Sequence, residues 1–288
     1  MIVVVSAKGG GATVSALAMA LAGPRPTLLA ECDTAGGSIR SGYLQGGIGG
    51  EVGLAHLAQA DREGRLPEAF EAQLRWLDAA GNRLYLPGLT DPLQAAALER
   101  TWQPLGALLQ AMDQVAGYDV VVDAGRVVFE PGRVHPRLFP AALLHAADVV
   151  VLVVRNTLTS VAQTVPVARA LRAELDEHGS GADALQLLMI REGPLQSSAI
   201  AERMQTPVIA PLPWDERAAH VLTQGAAHPK LTKLPLLRQT VSVVRVLHVA
   251  TRDRRRRLQA PPVAVASPMV AGVLSRLTSV RTEVAAGG

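Results

Sequence analysis

A single cysteine, Cys32, stands in 288 residues. It excludes an internal disulfide and makes a reducing compartment the expected setting. Lysine is nearly as scarce: of 28 basic residues, Lys8, Lys230 and Lys233 are lysine and all the rest arginine. That bias, beside abundant Ala, Gly, Val and Pro, reflects coding composition first and bidentate phosphate contacts second. No apolar run reaches the roughly 18 residues that a spanning helix needs. No basic, apolar, small-residue leader precedes the first apolar run, so a cytoplasmic protein is expected. Seven histidines show no ligand spacing, which argues against a histidine-built metal site. No internal repeat is visible. What remains is a chain with 49% apolar residues and a formal charge of +3. That is enough for a sizeable core, in one large α/β domain or two small ones.

The first forty residues carry the densest signal. An apolar run, Ile2-Val3-Val4-Val5, breaks into Ser6-Ala7-Lys8-Gly9-Gly10-Gly11-Ala12-Thr13-Val14 and then into a small-residue helix pattern from Thr13 to Leu21. A second apolar run, Thr27 to Ala30, ends in Glu31-Cys32-Asp33-Thr34. Strand, glycine turn, helix, strand and acidic turn, in that order, build a nucleotide-phosphate site at the carboxyl ends of parallel strands. Glycine-turn amides and the helix N-terminus behind them form an anion cradle.

Farther along, residues 34–50 hold seven glycines and read as a mobile loop beside the site. Helices are expected over about 52–60, 66–77 and 91–115, the last interrupted at Pro104. Strands are expected at 83–86, 118–123, 148–154, 185–190 and 208–210, with helices over 139–147, 160–174, 197–204 and 235–250 between and after them. The alternation predicts a doubly wound, mainly parallel α/β sheet of about seven to eight strands with helices on both faces. The domain is expected to span residues 1–250, followed by a basic and Pro-rich linker at 251–268 and an amphipathic tail at 269–288.

With these segments in place, the chain resembles the ParA/MinD family of deviant P-loop ATPases, whose loop reads K-G-G-x-G-K-T-T. Lys8-Gly9-Gly10 matches its start. If the loop is one residue shorter than the family's, Gly11 falls on the last loop glycine, Ala12 on the P-loop lysine and Thr13 on the Mg²⁺-binding Thr. An ungapped match instead puts Thr13 on the lysine and Val14 on the Thr, losing both. The resemblance implies that Asp33 orients the attacking water. It implies also that Asp123, ending Tyr118-Asp119-Val120-Val121-Val122-Asp123, holds Mg²⁺ with Thr13 and Asp33. Pro213-Trp214-Asp215 looks like the P-x-D segment of the base pocket, which implicates Pro213 and Asp215 in nucleotide binding.

The departures are as informative. Ala12 stands for the lysine, Ala124-Gly125-Arg126 for a pair of prolines, and Arg191 for the Asn that reads adenine. Losing the lysine weakens transition-state stabilisation, although the family's signature lysine, here Lys8, reaches phosphates across a dimer interface. The resemblance therefore implies ATP and Mg²⁺ as ligands, a homodimer, and weak ATPase activity in a switch for partitioning or positioning DNA or protein cargo. A catalytically inactive scaffold that binds a partner protein is the alternative. In a plainer alternative, the glycines make only a tight turn and the carboxylates only cap helices. Cys32 reads as a small buried residue.

Arg252, Arg254, Arg255, Arg256 and Arg257 form a run suited to DNA or another polyanion, or to a solvated helix end. In the tail, Met269, Val270, Val273, Leu274, Leu277, Val280 and Val284 fall at helical spacing on one face. MinD-like proteins use such a helix on membranes. Residues 269–284 are accordingly expected to bind a membrane surface, a partner protein or the chain's own domain, giving possible nucleoid or membrane association.

Overall fold

The computed structural model describes residues 1–225, 230–258 and 270–278. In chain order its elements are β1 (Ile2–Ser6), α1 (Ala12–Ala22), β2 (Thr27–Glu31), α2 (Leu54–Arg62), α3 (Leu66–Phe70), β3 (Arg75–Trp76) and β4 (Arg83–Leu86). There follow α4 (Trp102–Gln114), β5 (Asp119–Arg126), β6 (Phe129–Glu130), β7 (Arg133–Val134), α5 (Ala141–His145), β8 (Val149–Arg155) and α6 (Leu158–His178). Last come β9 (Leu185–Arg191), α7 (Ser197–Met204), β10 (Val208–Pro213), α8 (Glu216–Gln224) and α9 (Pro235–Leu258), then a helix over 270–278.

Eight strands make one sheet in the order β10-β9-β8-β1-β5-β2-β4-β3, parallel throughout except for β3 on the edge. The expected doubly wound sheet is thus observed. Strand side chains alternate between two cores: Val3, Val5, Leu28 and Val122 point to one, Ile2, Val4, Leu29 and Val121 to the other. Strands buried on both faces explain the unbroken β-branched runs.

Several expected boundaries shift. The helix expected over 66–77 stops at Phe70, because Leu74 turns extended and Arg75–Trp76 pairs antiparallel with β4. The break expected at Pro104 falls earlier, between a 3-10 run over Pro92–Leu98 and α4. Pro104 is the third residue of α4, where an amide has no partner within the helix in any case. The β6–β7 hairpin was not expected, although its Pro131-Gly132 turn, with Gly132 at φ +86°, is a standard turn signal. Residues 34–50 lie in an irregular but tethered segment rather than a free loop. Buried Arg40 donates to the carbonyls of Gly49, Val52 and Gly88, and the backbone amides of Ser38 and Ile39 donate to Glu31.

The first eight residues of the expected linker, 251–258, are two further turns of α9, and its remainder, 259–268, lies outside the described residues. Arg254 is 2% exposed, paired with Asp183 and donating to Ser180. Arg255 bridges Asp113 and Asp148, the carboxylates that also meet the Met1 amino group. In the tail, Val273, Leu274 and Leu277 are buried in the first core and Arg276 pairs with Glu71. Along 270–278 the apolar face therefore docks on the chain's own domain. Met269, Val280 and Val284 lie outside the described residues. Among those that are described, no helix is long and apolar enough to cross a membrane.

Candidate functional site

The glycine loop leaves the carboxyl end of β1 and enters α1. Gly9 and Gly11 hold φ of +53° and +95°, which side chains rarely adopt. A Cβ on Gly10 would lie 2.8 Å from the Val153 carbonyl, so the loop crosses directly over β8. Gly11 precedes the first turn of α1, and the first regular bond is from Ser15 N–H to Gly11 C=O. The amides of Ala12, Thr13 and Val14 thus have no carbonyl within the helix to bond, the arrangement that suits an anion. Lys8 is exposed on the loop, whereas Ala12 is buried.

Three acidic residues converge beside this loop. Asp123, on β5, is fully buried. Its Oδ1 accepts from Gly125 N–H at 3.1 Å, and its Oδ2 has no hydrogen-bond partner. Burial pushes this carboxyl up to about 7, Glu31 and Asp33 add to the rise, and the Thr13 hydroxyl and the Gly125 amide oppose it. Asp33 is also raised, mainly by burial, against the pull of its bond from Ala35 N–H. Glu31 is buried and accepts four bonds, from Ser38 N–H, Ile39 N–H, Gly88 N–H and, at 2.5 Å, the Tyr85 hydroxyl. It organises the backbone around the site, a role not evident in the sequence. Cys32, between the acids, is fully buried and its thiol is raised by that burial, which leaves it a packing residue.

Mg²⁺ is the cation that these residues would have to hold. Asp123 Oδ2 is a buried carboxyl oxygen without a partner, next to the Thr13 side chain, and a cation would favour its ionised form. No group of three acidic, His or Cys ligands exists among the described residues. Mg²⁺ does not require one, since it keeps waters and shares phosphate oxygens. The residues fit.

Across the loop from the acids lies a cleft of about 210 Å³ lined by Gly10, Gly11, Val14, Arg155, Pro213 and Trp214 among others. Asp215 also lines it, but both of its oxygens are engaged: Oδ1 caps α8 through Ala218 N–H and Oδ2 accepts from Leu236 N–H in α9. Its observed work is to join two helices, not to offer a free acceptor. Arg191 is exposed at the end of β9. The residue missed from the sequence is Arg155, the last of β8. Its guanidinium donates to Gly9 C=O at 2.9 Å, pairs with Glu192 at 3.3 Å and lies over the Trp214 ring at 5.0 Å. The available signal was a cation ending a buried strand, as Asp33 follows β2.

Lys8 to Val14, Asp33, Asp123, Pro213 and Asp215 therefore gather at one edge of the sheet. The arginine run does not join them. Arg254 and Arg255 are engaged at the opposite edge, near the amino ends of β1 and β8, Arg254 with Asp183 and the part-exposed Arg255 with Asp113 and Asp148. Arg252, Arg256 and Arg257 remain exposed, Arg257 within 3.4 Å of Asp183.

No protein-family model matches the chain, and no curated protein matches it. Among solved structures it is similar to a ParA family ATPase from Chlorobium tepidum, with TM-score 0.61 and 17% identity over 86% of this chain and 97% of that one. It is similar also to MinD of Pyrococcus horikoshii complexed with Mg-ADP, with TM-score 0.61 and 16% identity over 88% and 99%. An ATP complex of a McdA variant from Cyanothece superposes with TM-score 0.58 and 17% identity over 86% and 96%. The chain has the ParA/MinD P-loop NTPase fold.

Proposed function

We propose that the chain is a ParA/MinD-like switch that dimerises on binding ATP and Mg²⁺ and positions a DNA or protein cargo, with weak ATPase activity. One observation carries this reading: the unpartnered, buried Asp123 Oδ2 belongs to a carboxyl beside Thr13, where the glycine cradle enters α1 at the carboxyl ends of parallel strands. The amides of Gly9 to Val14 bind phosphate oxygens, and Lys8 adds charge from the mouth of the loop. Thr13 and Asp123 hold Mg²⁺, which when bound neutralises phosphate charge. Asp33, fixed by its turn to Ala35, orients the attacking water. Pro213 and Asp215 wall the base side of the cleft, Asp215 acting by holding α8 to α9. Without a lysine at residue 12, binding is favoured over turnover.

Exposed Leu93, Leu158 and Trp214 all follow the carboxyl ends of strands, at this same edge. An apolar rim around the site supports a homodimer that closes over nucleotide. Polyanion binding rests on Arg252, Arg256 and Arg257 alone. A membrane role for residues 269–284 requires the 270–278 helix to leave its core, freeing Val273, Leu274 and Leu277.

Calorimetry with ATP and Mg²⁺, followed by light scattering, tests the proposal. Micromolar to sub-millimolar binding with a doubling of mass is expected, and Lys8→Ala abolishes the doubling. Absent binding at millimolar ATP sinks it in favour of the second reading, a scaffold that keeps the fold and binds a partner protein without turnover. Ala12 is the specific observation that favours that second reading.

A further inference from the structure

The cradle lacks a cation at residue 12, yet one side chain brings positive charge to the cleft from another strand. Parallel pairing of β1 with β8 sets Ser6 opposite Val153. Arg155, two residues on, therefore emerges level with the glycine loop. Its guanidinium bonds Gly9 C=O and lies on Trp214, and Trp214 with Gly10, Gly11 and Val14 lines the same cleft. With 34% of its side chain exposed, Arg155 is neither buried in the core nor free in solvent. Glu192, its anionic partner, is itself part-exposed at 3.3 Å. Such a pair contributes little and yields readily to a more highly charged anion.

Resting on the nucleotide-binding reading above, we infer that Arg155 is a phosphate-binding residue that supplies in cis the charge Ala12 does not. The planar fork of a guanidinium bonds phosphate oxygens in pairs. Trp214 holds the fork flat at the cleft wall. Gly9 C=O positions it beside the loop amides, so phosphate entering the cradle meets a cation already ordered. Arg155 replaces the Glu192 contact by the phosphate contact and keeps its seat on Trp214.

The rival role for Arg155 is bracing the loop through Gly9 C=O, and two substitutions separate the roles. Arg155→Gln keeps a donor for that carbonyl and removes the charge; Arg155→Lys keeps the charge. Calorimetric ATP affinity in Mg²⁺ is expected to fall about 10- to 100-fold in the Gln variant, the range of a lost charge-assisted hydrogen bond. The Lys variant, which keeps the charge but not the paired fork, is expected to lose less than the Gln variant, and both are expected to melt like wild type without nucleotide. Placing charge back at the cradle with Ala12→Lys in the Arg155→Gln background is expected to recover affinity. Unchanged affinity in Arg155→Gln overturns the assignment while leaving nucleotide binding intact. A loss in the Lys variant equal to that in the Gln variant overturns it, because the charge would then contribute nothing. Absent ATP binding by the wild-type protein overturns the underlying reading and this assignment together.

Discussion

The Asp33 carboxyl lies where a side chain on residue 125 would be. A Cβ built on Gly125 meets Asp33 Cγ at 2.1 Å, and Gly125 itself holds φ +66°. Glycine at this point of β5 thus allows the second-strand acid to lie against the strand that carries Asp123. Gly125→Ala is expected to cost about 1–2 kcal/mol for the left-handed backbone, with a further loss from displacing Asp33. Urea unfolding of Gly125→Ala, Asp33→Ala and the double variant checks this. The double variant is expected to be more stable than the sum of the single losses, because alanine at residue 33 removes the collision.

Glu31 sets the path of the chain on the other side of the site. Two carboxylate oxygens take four donors from two loops and from Tyr85, whose hydroxyl is raised by burial and by the Glu31 charge. Gly37 and Gly88 pack so closely on it that a Cβ at either would lie 2.6 or 2.9 Å from Oε2. Glu31→Ala leaves four donors without their acceptor and is expected to cost at least about 3 kcal/mol. Faster amide exchange at Ser38, Ile39 and Gly88 is the accompanying signature. Slow exchange there in the variant would mean that the segment is held by its other contacts, those of Arg40 and the Gly37 N–H to Leu89 C=O bond among them.

How far the sequence discloses this molecule depends on whether a signal is local. Val120-Val121-Val122 reads as a buried strand because its neighbours on both faces are apolar, and it is one. Lys8 to Thr13 reads as a cradle because glycine at positive φ is a property of single residues. The arginine run misleads, since Arg254 and Arg255 look like solvated charge until the fold brings Ser180 and Asp183, Asp113 and Asp148 to them, up to 142 residues away. Arg155 was hidden for a like reason: its place at the cradle follows from the β1–β8 pairing. Asp215 looks like a ligand-facing acid, and only the arrival of α9 shows where its second oxygen goes.

The Arg255 network makes stability depend on acid. Burial alone raises Asp113 and Asp148, but the amino terminus and Arg255 outweigh it and hold both carboxyls below their ordinary value of 3.8. A depressed carboxyl stabilises the fold fully above its unfolded value, and this is lost as pH falls through the folded one. Arg255→Gln is therefore expected to cost about 2–3 kcal/mol at pH 7, below the range for a fully buried pair because Arg255 is 30% exposed. The deficit narrows below about pH 4, where the carboxylates protonate in both proteins. Acid titration followed by circular dichroism checks both the size and the narrowing. A constant deficit down to pH 2 would assign the loss to packing of the arginine stem.

Asp123 makes the opposite contribution. A fully buried carboxylate with one oxygen unpartnered is a cost to the fold without ligand, and natural proteins retain such costs where function needs the group. Asparagine at this position keeps an acceptor for Gly125 N–H while removing the uncompensated charge and lessening repulsion with Asp33 and Glu31. Asp123→Asn is thus expected to melt several degrees above wild type without nucleotide. In Mg²⁺ and ATP the order reverses, because wild type gains binding energy through Oδ2 that the variant lacks. Thermal melts of both proteins, with and without ATP and with Mg²⁺ or EDTA, separate the two contributions. A variant less stable than wild type under every condition would make Asp123 a structural residue of β5 and weaken its assignment to the metal. A crossing of the two curves on adding Mg²⁺ and ATP ties the strain at Asp123 to the site's purpose.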